Sequence, residues 1–132
     1  MTPIMTPKAA IDFAADTLLV KDDARERVVM ITLNNSNGGL RCHLVGIGGY
    51  RSCISDRRYI AKQAILDNAT AVIMLHSHNG DCKPSQADIR TTEEIKGCLA
   101  MFDITLLDHV VVGDGCYFSF AEERVYDMEG RG

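Results

Sequence analysis

The run Ala71-Val-Ile-Met-Leu75 leads straight into His76-Ser-His78, and six residues later comes Ser85-Gln-Ala-Asp88. An unbroken apolar run of this length reads as a buried strand. Alternate residues of an extended chain point to one side, so His76 and His78 share a face at the strand's C-terminal end. Pro84 and Ser85 read as a helix start, which places Asp88 in the first turn. Strand, loop and helix thereby aim two imidazoles and one carboxylate at a common point. Such a set suits a divalent ion of zinc type, and three protein ligands leave one position open for water. The open position separates a catalytic centre from a structural one.

Each half of the pattern also has an ordinary explanation. Most isolated His-x-His pairs are incidental. Ser-x-x-Asp ahead of a helical run is a common capping arrangement, in which a hydroxyl and an early carboxylate satisfy free backbone donors. The metal reading rests on the two halves occurring together, one at the end of a buried strand and one at the start of an amphipathic helix.

The pattern His76-Ser-His78…Ser85-x-x-Asp88 resembles the metal motif of the JAMM (MPN+) metalloproteases. The strings KPSQADI, LLDHVVVGDG and YFSFAEE are similar to the RadC-like branch of that group. Upstream, Arg25-Glu26-Arg27-Val28-Val29 resembles the family's Arg-Glu segment opening the first strand. Gly48-Gly49 stands at its Gly-Thr turn, Arg58 and Ala64 match the next helix, and Asn68-Ala69 its end. The similarity covers about residues 8–123 and implies an α/β domain of JAB/MPN architecture, a mixed sheet flanked by helices. It also implies a single zinc ion on His76, His78 and Asp88, with Glu26 and Ser85 as catalytic residues. Two departures stand out. The branch usually reads His-Asn-His-Pro-Ser-Gly-Asp; here Asn79-Gly80-Asp81 follows His78, so the loop is one residue shorter and lacks its proline. Cys82 takes a place where the family has an apolar residue or proline. Its thiol is a conceivable ligand or oxidation site, but a small semi-buried residue is the simpler expectation.

At 132 residues, one domain with one core is expected over the whole chain, with a tail at about 124–132. There is no apolar run of membrane-spanning length, and Met1-Thr-Pro-Ile-Met does not resemble a secretory signal. Five cysteines without a Cys-x-x-Cys read as a reduced, cytoplasmic protein. The net charge is −4 and basic residues are scattered, with Arg51, Arg57, Arg58 and Lys62 as the densest group. A chain built to grip phosphates usually concentrates its basic residues, so nucleic acid is disfavoured as a partner. That matters because the RadC name carries an association with DNA repair. Nor do these residues leave room for the N-terminal helical module of full-length relatives.

Thr6-Pro7 opens a helix to about Leu18, with Ala10, Phe13, Ala14 and Leu18 on one stripe. Val28–Leu33 reads as a central strand, Asn34–Gly39 as a hairpin loop, and residues 40–48 as its partner strand. Asp56 caps a helix to Asn68, with Ile60, Ala64 and Ile65 inward. The helix from Ser85 to Met101 carries Ile89, Ile95 and Leu99. Ile104–Val112 reads as a long buried strand, Tyr117–Phe120 as a short edge strand, and Glu122–Gly132 as a frayed helix.

A zinc hydrolase needs a carboxylate near the ion, but not bound to it, to shuttle a proton from water to the leaving amine. The resemblance gives that role to Glu26. On its own, Glu26 would read as an exposed strand-start residue paired with Arg25 or Arg27. Ser85 has two candidate tasks, helix capping and stabilisation of an oxyanion. His109 reads as a core histidine or a partner behind the ligands, and His43 as structural. The leading function is hydrolysis of peptide or isopeptide bonds, on a protein or peptide substrate, conceivably ubiquitin-like. The alternatives are a catalytically silent interaction module, a DNA-repair-associated RadC-like protein of unknown activity, and an Fe(II) enzyme, which also uses two histidines and a carboxylate. Zinc nucleobase deamination is disfavoured, because neither His-x-Glu nor Pro-Cys-x-x-Cys occurs. The Asn79–Lys83 loop is expected to be mobile, and a substrate strand to pair along the metal-bearing sheet edge.

Overall fold

The computed structural model describes residues 3–21, 23–48 and 56–129. These form one six-stranded mixed sheet with helices on both faces. The elements in chain order are α1 (Pro7–Leu18), β1 (Arg27–Leu33), β2 (Gly39–Ile47), α2 (Arg57–Leu66), β3 (Ala71–Ser77), α3 (Gln86–Ala100), β4 (Thr105–Val112), β5 (Cys116–Ser119) and β6 (Arg124–Asp127). The strand order is β2-β1-β3-β4-β5-β6. Only β3 and β4 run parallel, with α3 as their crossover; the other neighbours are antiparallel. Gly49, Arg51 and Cys53, which the sequence reading singles out, lie outside the described residues.

Both faces of the central strands are buried, which is why β1 and β3 lack polar–apolar alternation. Val29, Ile31, Leu33, Ile73 and Leu75 pack with α1 on one face. Val28, Met30, Val72 and Met74 pack with Ile60 and Ala64 of α2 and Ile95 and Leu99 of α3 on the other. His76 has the parity of Val72 and Met74, so it belongs to the face that α3 covers. The turn between β1 and β2 is organised by Asn34, whose Oδ1 accepts from Ser36 N–H and Gly38 N–H at 2.9 Å each.

Several expectations need correction. Residues 124–127 form β6 rather than a helix, so β5 is not an edge. The turn is closed by Glu123 at φ 52°, and Tyr117 stacks on Tyr126 at 5.2 Å. Only the second half of β4 is buried. The helical stripes hold except at one residue each: Phe13, Ile65 and Ile89 are exposed, while Ile11, Ala61 and Thr92 turn inward beside the residues expected there. In α3 the unexpected inward residue is the Thr92 hydroxyl, next to the expected Asp88 carboxylate.

Candidate metal centre

The centre forms where β3 ends and α3 begins. His76 lies inside the strand; His78 follows it, and its backbone N–H donates to Val112 O at 2.7 Å, extending the β3–β4 ladder. Ser77, between them, faces the other way. Its Oγ accepts from Arg27 N–H at 2.8 Å and so fixes the chain next to Glu26. Asp88 is placed by a capping box: its N–H donates to Ser85 Oγ at 3.0 Å, and Ser85 N–H donates to its Oδ2 at 2.7 Å.

His76 and Asp88 are buried, and His78 is half-buried. One ligand atom from each of the three lies within 4.8 Å of the others. His76 Nδ1 is 3.4 Å from Asp88 Oδ1, and His78 Nε2 is 3.4 Å from Asp88 Oδ2. Those gaps are long for charge-assisted hydrogen bonds. Each is close to the roughly 3.3–3.4 Å that separates two ligands held at about 2.0–2.1 Å from zinc, although the two gaps run to different oxygens of Asp88, so sharing one oxygen takes a small turn of the carboxylate. Asp88 Oδ1 is buried without a hydrogen-bond partner among the described residues, a condition a cation would relieve. The donor set therefore fits zinc, and the structure brings together the three ligands expected from sequence.

Electrostatics point the same way. Burial would raise the Asp88 pKa, but the facing imidazoles of His76 and His78 and the Ser85 N–H outweigh it and hold the carboxyl far below its usual range. His78 is raised by its Asp88 partner, against the opposing effect of burial.

Glu26, immediately ahead of β1, reaches the same corner. Its Oε1 is 3.7 Å from His76 Nε2, and its Oε2 accepts from Asn79 N–H at 3.1 Å. The arginines beside it do not claim it: Arg25 and Arg27 each place a guanidinium nitrogen 2.9 Å from Asp23. Ser85 is exposed, and its oxygen is engaged as the cap of α3.

Behind the ligands stands a pair that sequence reasoning half missed. The Thr92 hydroxyl donates to Asp88 O at 2.7 Å and lies 2.6 Å from His109 Nδ1. A hydroxyl has one proton, so His109 must donate from Nδ1. Burial pushes the His109 pKa down to about 3, which keeps the ring neutral, and the Thr92 contact then favours the Nδ1–H tautomer. Its ring stacks on Phe120 at 4.9 Å and faces His76 at 6.4 Å. The available signal was Thr92 at i+4 from Asp88, on the same helical face.

The Asn79–Lys83 loop is tied down rather than loose. Gly80 N–H donates to Asp114 Oδ2 at 3.2 Å, and Asp114 N–H returns to Gly80 O at 2.6 Å. Cys82 is buried and joined to Cys116 by a disulfide, with Cα atoms 6.0 Å apart. That departs from the expectation of reduced cysteines; an odd count does not exclude pairing, and the β4–β5 turn brings Cys116 to the loop. Cys42 and Cys98 are free. Nor is β3 a sheet edge: it lies between β1 and β4, and the edges are β2 and β6. No substrate strand can add to it directly.

A mixed α/β sheet with a His-His-Asp cluster at its strand–helix junction defines a metal-centre fold of JAB type. Residues 4–125 match the family model of the RadC-like JAB domain, and the chain belongs to that family. It is 35% identical over 124 residues to a UPF0758 protein of Haemophilus ducreyi, covering 93% of this chain and 55% of that protein. A UPF0758 protein of Stenotrophomonas maltophilia is 40% identical over 104 residues, 78% of this chain and 44% of that one. One from Staphylococcus aureus is 36% identical over 125 residues, 94% and 56% respectively. The chain spans about half the length of these relatives. Among the described residues no helix is long and apolar enough to cross a membrane.

Proposed function

We propose that this chain is a zinc-dependent hydrolase of JAMM type that cleaves peptide or isopeptide bonds in a protein or peptide substrate. The observation that carries the reading is the cluster of His76, His78 and Asp88, with one ligand atom of each within 4.8 Å of the others and the Glu26 carboxylate beside it. Zinc held there supplies Lewis acidity toward water and the scissile carbonyl.

The remaining work falls to the chain. His76 is immobilised inside the sheet, and Asp88 is immobilised by its capping box, so the ligands need little reordering. Asn79 N–H holds one oxygen of Glu26, leaving the other toward the cluster. Glu26 accepts a proton from the attacking water and passes it to the departing amine. Ser85 Oγ already accepts from Asp88 N–H, so its own hydroxyl proton is the one left to donate to the carbonyl oxygen as charge develops there.

Glu26→Gln is the test. The variant keeps zinc within about threefold, while hydrolysis of a responsive member of a peptide and ubiquitin-like substrate panel falls by about a hundredfold or more. A Gln variant that turns over at the wild-type rate overturns the role of Glu26.

A further inference from the structure

The disulfide joins two segments that meet at the metal centre. Cys82 lies in the loop that leaves His78, and Cys116 opens β5, 34 residues further on. The β4–β5 turn presses against that loop. A Cβ on Gly113 would stand 2.7 Å from Asp81 C, Cys82 N and Gly80 O, so only glycine permits the approach. Within the loop, Asn79 N–H is the contact that holds the Glu26 carboxylate. The tether thus runs from β5 through Cys82 and the loop to Glu26.

The three metal ligands do not depend on this tether in the same way. His76 is part of β3, and His78 is bonded to the end of β4. Asp88 is held by its helix cap. If the disulfide opens, these backbone and cap supports remain, and the loop keeps the Gly80–Asp114 clasp, the local Asp81–Lys83 turn and the hydrogen bond between the Asp81 backbone and the His78 ring.

We infer that the Cys82–Cys116 disulfide is a redox control on the placement of Glu26: oxidised, it holds the loop and the carboxylate; reduced, it releases both and leaves the metal ligands in place. The functional consequence rests on Glu26 being the proton carrier. Reduction takes two electrons from a dithiol. One thiolate attacks Cys116, which is half-buried, and the S–S bond breaks to release the Cys82 thiolate. The second thiol resolves the mixed disulfide, the reagent leaves as a cyclic disulfide, and its two protons end on the two cysteine sulfurs. A low-molecular-weight disulfide reverses the reaction.

The test compares the oxidised chain, the chain reduced by a water-soluble phosphine, and the Cys82→Ser/Cys116→Ser double variant. The phosphine becomes its oxide with oxygen from water, and the sulfurs become thiols. Alkylation and mass measurement first establish the redox state; both cysteines reacting before any reductant is added overturns the proposal. Amide hydrogen exchange and zinc affinity are then measured. Exchange at the Asn79 amide, whose N–H holds Glu26, and at position 82 is expected to rise at least tenfold on reduction, with the double variant matching the reduced chain and ignoring the phosphine. Zinc affinity is expected to change less than threefold. Exchange unchanged within twofold overturns the tether. A more than tenfold loss of zinc shows that the disulfide governs the ligands instead, which also overturns the proposal. Substrate hydrolysis should fall at least tenfold on reduction and recover on reoxidation; unchanged hydrolysis with a loosened loop overturns control through Glu26. Absence of hydrolysis in both states counts against the proposed activity, and the exchange result still decides the tether.

Discussion

Two histidine–aspartate clusters flank the same central strand, and their difference separates a structural site from a metal centre. At one end of β1, Val28 pairs with His76; toward the other, Thr32 pairs with Arg41. Near Thr32, Asp67 is saturated by its neighbours. His43 Nε2 lies 2.7 Å from Oδ2, the Thr32 hydroxyl donates to the same oxygen at 2.7 Å, and Arg41 Nε lies 3.5 Å from Oδ1. At the other end, Asp88 takes one backbone hydrogen bond and faces two imidazoles at 3.4 Å each, with Oδ1 unpartnered among the described residues. Both pair an aspartate with imidazole, but Asp67 also takes a hydroxyl and a guanidinium where Asp88 faces a second imidazole. One set has closed to hydrogen-bond contact and pins α2 to the sheet; the other is held open by strand and helix at the spacing an ion requires.

The comparison breaks most visibly on metal affinity. Asp88→Ala should weaken zinc binding by more than about a hundredfold, beyond what outer partners usually contribute. Asp67→Ala should leave it within about threefold. Competition with a chromophoric chelator measures both; equal losses would erase the distinction.

Stability reverses the ranking. Asp67→Ala strands the buried Thr32 hydroxyl and the His43 ring, at a cost of about 3 kcal/mol in urea unfolding. Its pH dependence follows from the same contacts. Burial alone would raise the Asp67 pKa, but hydrogen bonds from His43 and Thr32 prevail and lower it below the usual 3.8. A carboxyl depressed on folding stabilises the protein above its unfolded pKa, and that stability is lost as pH falls through the folded value. The wild type should therefore lose this increment below about pH 4, and Asp67→Ala should lack that part of the acid limb. Parallel acid limbs in the two proteins would contradict the assignment.

The smallest effect is expected behind the metal centre. Thr92→Val leaves the buried His109 N–H without its acceptor and should cost about 1–2 kcal/mol, and Thr92→Ser should restore most of it. Unfolding curves that superimpose for Val and wild type would show that the Thr92–His109 contact contributes nothing.

These two clusters were not equally legible from sequence. His76 and His78 could be read because strand parity is local, and Asp88 because a capping box spans three residues. The His43–Asp67 pair could not, because it joins β2 to the end of α2 through tertiary packing alone. The same holds for Cys82–Cys116 and for Thr92–His109. Strand β6 was misread because a four-residue charged segment carries almost no periodicity, and its pairing with β5 decides it. Ile60, Ala64, Ile95 and Leu99 were placed inward correctly from their apolar spacing, whereas Ile65 and Ile89 are exposed, at the margin of each buried face. In α3 the first inward places are Asp88 and Thr92, beside the His76–His78 pair, and the later ones are Ile95 and Leu99.

The central claim is that His76, His78 and Asp88 hold one zinc ion with a position open for water. X-ray absorption at the zinc edge, on protein loaded with one equivalent of zinc, tests it most directly. The account predicts nitrogen and oxygen scatterers at about 2.0–2.2 Å with an imidazole signature, and loss of that signature in Asp88→Ala. A sulfur shell at about 2.3 Å, or a spectrum that Asp88→Ala leaves unchanged, would place the ion elsewhere and contradict it.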